Sequence, residues 1–102
     1  MKLTTEINEL LEAKTPKFVQ ETEDLIYDIY DDEVEVEADI NSRGSELMVY
    51  PIERDKKYGR ITFNPAGDLA VVAYDRSQKT AFKKIMKGLE DAGIEVKESG
   101  SI

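Results

Sequence analysis

Apolar residues recur along the chain at helical spacing, then in strict alternation, then at helical spacing again. Leu3, Ile7, Leu10 and Leu11 share one side while Glu6, Glu9 and Glu12 occupy others, which predicts a short amphipathic helix over residues 4–14. Thr15-Pro16 then reads as an N-cap followed by proline at the first helical position, where a missing N–H costs nothing. The second helix so begun has Phe18, Thr22, Leu25, Ile26 and Ile29 as its inward stripe and ends near residues 30–32.

The period changes to two over residues 33–40. Val34, Val36, Ala38 and Ile40 fall on one face, and Glu33, Glu35, Glu37 and Asp39 on the other, as in a half-buried strand. Asn41-Ser42-Arg43-Gly44 supplies a turn, and residues 47–52 read as a second strand that Pro51 drives toward an edge or an early end. The two are expected to pair as a hairpin. A third strand over residues 60–63 and a fourth over residues 69–74 flank the turn Asn64-Pro65-Ala66-Gly67-Asp68. The fourth is nearly all apolar, which predicts a central strand partly covered on its second face.

Asp75 reads as the cap of a last helix, with Gln78 reaching back as in a capping box and Gly93 closing the helix. Phe82, Ile85, Met86 and Leu89 share one arc of that helix. Residues 94–97 suit a short last strand, and residues 99–102 a frayed tail. The expectation is therefore one α+β domain over residues 1–98. It has two N-terminal helices, a four-stranded antiparallel meander, a C-terminal helix and a short last strand, with the helices on one face of the sheet.

Composition narrows the chemistry. The chain of 102 residues suits one domain, and its 40% hydrophobic share suffices for a modest core beside 35% charged residues. No cysteine is present, so a disulfide-stapled secreted scaffold is excluded, and no stretch approaches a signal-peptide core or a membrane span. The expected residence is a reducing cytoplasm. Histidine is also absent, which removes Ser-His, Cys-His and His-metal centres and leaves carboxylates, Lys, Tyr, Ser and Thr.

The charge is unevenly distributed. Between Lys17 and Arg43 lie ten carboxylates and no base: Glu21, Glu23, Asp24, Asp28, Asp31, Asp32, Glu33, Glu35, Glu37 and Asp39. The remainder carries 14 bases against 12 acids, the total of 22 acids less those ten, so this segment supplies the whole negative excess. Clustered carboxylates repel one another, a cost that a basic partner would offset. The expectation is a protein-binding acidic face formed by Glu21, Asp24, Tyr27, Asp28, Asp31, Asp32, Glu33, Glu35 and Glu37. Tyr27 and Tyr30 inside the run, with Tyr50 and Tyr58 elsewhere, add an interface-like composition. The competing reading of the run is a solvated face that only maintains solubility.

Arg76, Lys79, Lys83, Lys84 and Lys87 form a basic stripe on the last helix and the alternative contact surface, toward phosphate or a larger assembly. A net charge of -8 disfavours direct nucleic-acid binding, and these cations are expected to face solvent or pair with the acidic segment. A dipolar surface of this kind also permits a salt-sensitive homodimer.

Three motifs carry little. Asp75 with Glu95-Val96-Lys97 resembles the Asp and Glu-x-Lys arrangement of metal-dependent nucleases, but the aspartate reads as a helix cap and Glu-Val-Lys as plain strand alternation. Asp28, Asp31, Asp32 and Glu33 lack the spacing and central glycine of an EF-hand, and no phosphate-cradling glycine motif occurs. No cofactor, metal or catalytic residue is therefore expected. In composition alone the chain is similar to phage-encoded inhibitors and toxin-immunity proteins, which implies a non-enzymatic inhibitor or regulator of a nucleic-acid-handling protein.

Overall fold

A computed structural model describes residues 15–53 and 56–100, in the order α1 (Lys17–Ile29), β1 (Val34–Asn41), β2 (Gly44–Pro51), β3 (Gly59–Phe63), β4 (Leu69–Tyr74), α2 (Lys79–Asp91) and β5 (Glu95–Gly100). A 3₁₀ turn, Arg76–Gln78, leads into α2. The helix expected over residues 4–14 lies outside the described residues, as do residues 101–102 of the expected tail.

The architecture is α+β, built on a five-stranded mixed sheet in the order β1-β2-β3-β4-β5. β1 to β4 form the expected antiparallel meander. The expectation of a four-stranded antiparallel sheet is corrected at its end: β5 is a full partner and runs parallel to β4, with Leu69 opposite Glu95. The 13-residue α2 carries the chain back to the start of β4, where the Glu95 amide donates to the Asp68 carbonyl at 2.9 Å. Parallel pairing requires such a crossover. Ser99 and Gly100, assigned to a frayed tail, belong to β5.

Both helices cover the same face of the sheet. Ser45, Leu47, Val49, Gly59, Ile61, Phe63, Ala70 and Val72 stand in register on it, because alternate residues of paired strands share a face. From α1, the Phe18 ring meets Phe63 at 4.9 Å between centroids, and Val19, Thr22 and Ile26 are buried. From α2, Phe82, Ile85, Met86 and Leu89 are buried as expected, and the Phe82 ring fills the space over Gly59. Thr22 is satisfied by donating its hydroxyl to the Phe18 carbonyl at 2.6 Å. Gly88 lets α2 pack against Leu25 of α1, since a Cβ there would lie 2.6 Å from a Leu25 methyl. β4 is the expected central strand, with Ala70 and Val72 fully buried and Ala73 covered on the other face.

Local corrections follow from the backbone. Pro16, not Thr15, is the N-cap of α1, and its ring offers no side-chain cap. Val19 is fully buried although absent from the expected stripe, while Phe18, Leu25 and Ile29 lie at the core margin. The β1–β2 turn is only Ser42-Arg43, so β2 starts at Gly44, and it ends at Pro51. Asp75 caps the 3₁₀ turn by accepting the Ser77 amide at 3.1 Å. Gln78 does not complete a capping box, because its side-chain carbonyl accepts the Tyr30 hydroxyl at 2.8 Å. Gly93 takes φ +87 past the end of α2, as expected. Among the described residues no helix is long and apolar enough to cross a membrane.

Candidate interaction surface

The four aspartates of α1 and the turn after it are brought together. Asp24 and Asp28 lie one helical turn apart, and Asp31 and Asp32 follow in successive left-handed conformations, φ 53 and 62. That backbone folds back on the helix end: the Asp32 amide donates to the Tyr27 carbonyl at 2.8 Å, and the Asp31 amide to the Asp28 carbonyl at 3.3 Å. Aspartate tolerates the left-handed region better than most residues. With Tyr27 they line a concavity of about 370 Å³, and no lysine or arginine among the described residues lines it. None of the four aspartates is ion-paired among the described residues.

Local physics disfavours this placement. Asp24 and Asp28 repel at i,i+4 spacing, and carboxylates at a helix C-terminus face the negative end of its dipole. Burial, and then the neighbouring Asp24, pushes the Glu23 carboxyl above its ordinary range.

The rest of the expected acidic face separates from this cluster. Glu21 is one turn away and pairs with Lys17 at 3.7 Å. Glu33 is exposed just before β1. Glu35 and Glu37 project from the opposite face of the sheet, where they stand across from Tyr50 and Met48. Alternation in β1 is responsible: the residues facing the helices are Val34 and Val36, so the acids between them point away.

Each tyrosine near the acidic run also has an internal role. The Tyr27 hydroxyl accepts the Val36 amide at 3.1 Å. Tyr30 stacks on Tyr58 with ring centroids 5.7 Å apart, and burial followed by the Tyr58 hydroxyl pushes its phenol strongly upward. No sequence signal marked these long-range partners.

The basic stripe is divided as well. Arg76, Lys79 and Lys83 line a concavity of about 300 Å³ with Tyr74, Glu98 and Gly100, at the carboxyl ends of the parallel strands β4 and β5. Lys83 pairs with Glu98 at 3.3 Å, and Lys87 with Asp91 at 3.8 Å. Lys84 is exposed and lines neither this concavity nor its neighbour. The stripe's ion pairs thus go to β5 and to its own helix rather than to the acidic segment. Tyr74 donates its hydroxyl to Glu98 at 2.5 Å, which raises the phenol and, together with Lys83, lowers the Glu98 carboxyl.

The nuclease-like residues are engaged elsewhere. The Asp75 carboxylate accepts both the hydroxyl and the amide of Ser77 and lies 3.6 Å from Lys56, while Glu95 lies 3.9 Å from Lys97. Among the described residues no group of three or more Asp or Glu has the geometry to hold a metal ion. No family model, no curated protein and no solved structure matches the chain.

Proposed function

We propose that the chain is a non-enzymatic interaction protein whose acidic surface binds a basic protein, as an inhibitor or regulator of a nucleic-acid-handling protein would. The observation that carries this reading is the convergence of Asp24, Asp28, Asp31 and Asp32 on one concavity that no cation among the described residues lines. Four charges placed where the negative end of the helix dipole and like-charge repulsion oppose them lower stability unless an outside cation meets them. Phosphate-binding surfaces of nucleases and polymerases present such cations. Tyr27 contributes a rigid aromatic wall to the same concavity.

The test is affinity capture from a lysate of the source organism at low salt, with the parent chain and an Asp24, Asp28, Asp31, Asp32→Asn variant as baits. Asparagine suits the left-handed positions 31 and 32. A basic protein retained by the parent alone supports the reading; equal retention by both contradicts it.

A second reading, contact with phosphate or with an assembly through the basic end, is favoured by the concavity lined by Arg76, Lys79 and Lys83. It predicts a salt-dependent mobility shift that Lys79, Lys83 and Lys87→Glu removes.

A further inference from the structure

Among the described residues, the edge of the sheet at β1 is covered over its first half by α1 and carries no further element over its second half. In the β1–β2 ladder a two-residue turn makes Asn41 and Gly44 the closing hydrogen-bonded pair, so residues 35, 37, 39 and 41 spend their backbone groups on β2. The backbone groups of Val34, Val36, Ala38 and Ile40 therefore point away from the sheet. The outward Val36 amide confirms the parity, since it is the one met by the Tyr27 hydroxyl. Helix α1 thus covers the start of the edge and stops there. Beyond it Ala38 and Ile40 are exposed, Ile40 by 37%, and so are Glu37, Asp39 and Asn41, which alternate with them.

An open edge with outward donors and acceptors is a template for another strand. The charges on β1 select which strand. Pairing with β1 of a second copy would set Glu37 and Asp39 against carboxylates on the same face, and like charges directly opposite are destabilising. A strand with Lys or Arg on that face and apolar side chains on the Ala38 and Ile40 face meets both requirements. Such a strand ends against Tyr27, whose hydroxyl occupies the Val36 amide and whose side chain also lines the concavity of the four aspartates.

We propose that the β1 edge at Ala38 and Ile40 accepts an added β-strand from a partner whose sequence alternates basic and apolar residues. The proposal rests on the reading of a basic partner and adds a second contact beside the aspartate cluster: backbone hydrogen bonds supply affinity, and Glu37 and Asp39 supply the choice of charge.

The experiment uses the ¹⁵N-labelled full chain and a synthetic peptide of about ten residues alternating Lys and Val, the upper end of the usual strand length. A Glu and Val peptide is the control. At ten times the dissociation constant, the Ala38 and Ile40 amides are expected to exchange about tenfold more slowly, an effect weakened by salt and absent with the control. Ala38→Pro removes an outward N–H that β2 does not use, so the ladder is retained and the protection is lost; Ile40→Pro serves as the second variant.

Four outcomes overturn the proposal. Shifts confined to Asp24, Asp28, Asp31 and Asp32 leave the acidic surface intact and refute strand addition. Equal protection by the Glu and Val peptide refutes the charge selection. Concentration-dependent protection without peptide assigns the edge to a second copy. No response at millimolar peptide refutes the edge as a docking site, whereas the acidic-surface reading is judged separately by the captured partner and the four-asparagine variant.

Discussion

The Tyr27 hydroxyl accepts a hydrogen bond from the Val36 amide at 3.1 Å, and this contact joins α1 to the outer edge of β1. The same ring lines the concavity formed by the four aspartates, so one residue supports both the edge and the acidic surface. Tyr27→Phe keeps the ring and leaves the amide without its acceptor. The expected loss is about 1 kcal/mol in urea unfolding, with faster exchange of the Val36 amide. Unchanged exchange at Val36 would show that the hydroxyl is not its partner in solution.

Gly59→Ala is expected to destabilise the fold by about 1–3 kcal/mol, the usual cost of overpacking a core. An added Cβ would lie 2.3 Å from the Phe82 ring and 2.9 Å from the Ala73 carbonyl, and Phe82 is fully buried. Thermal unfolding measures the loss. Phe82→Leu in the Gly59→Ala background is expected to cost less than the sum of the two changes, because one relieves the clash made by the other.

Two carboxylates give pH dependence of opposite sign. Asp75 is held below its ordinary value of 3.8, first by the Ser77 hydroxyl and amide and then by Lys56, so its contribution is present above 3.8 and lost as pH falls through the lower folded value. Asp75→Asn should therefore destabilise the chain at neutral pH and make little difference under strong acid. Glu23 is raised above 4.5 by burial and then by Asp24, so its ionised form weakens the fold once pH rises through that interval. Glu23→Gln is expected to stabilise at neutral pH and to lose that advantage below pH 4. Chemical unfolding of both variants from neutral pH down to about pH 2 checks the signs.

Relief of the aspartate cluster should raise stability. Asp24, Asp28, Asp31 and Asp32→Asn removes four mutually repelling charges and retains side chains that accept φ 53 and 62 at positions 31 and 32. The variant is expected to melt higher than the parent in low salt, with the gap closing as salt screens the repulsion. A variant that melts lower at every salt concentration would mean that the carboxylates are structurally used.

Much of this fold was legible from period alone. The alternation of Val34 to Ile40 placed β1 and its two faces, and the arc of Phe82, Ile85, Met86 and Leu89 placed the buried side of α2. Pattern did not report extent of cover: Ala38 and Ile40 occupy the inward face yet are exposed, because coverage depends on where α1 ends rather than on β1 itself. Parallel pairing of β5 was hidden for a similar reason. Its residues alternate weakly, and its position is set by the α2 crossover and the Glu95 to Asp68 backbone bond.

The acidic segment was visible as a run, but a run has no faces. Folding separates Asp24, Asp28, Asp31 and Asp32 from Glu35 and Glu37, because the first group follows a helix and its left-handed turn and the second alternates in a strand. The hydroxyl partners of Tyr27, Tyr30 and Tyr74 lie 9, 48 and 24 residues away in sequence, beyond any local signal.

The most direct measurement is the affinity of the captured basic partner for the parent chain and for the Asp24, Asp28, Asp31, Asp32→Asn variant, at low salt and with folding verified by thermal unfolding. The acidic-surface account predicts at least about 100-fold weaker binding by the variant, or about 3 kcal/mol, with the parent itself weakened as salt rises. Affinities within about twofold of each other, well inside the tenfold that 1.4 kcal/mol represents, would contradict it.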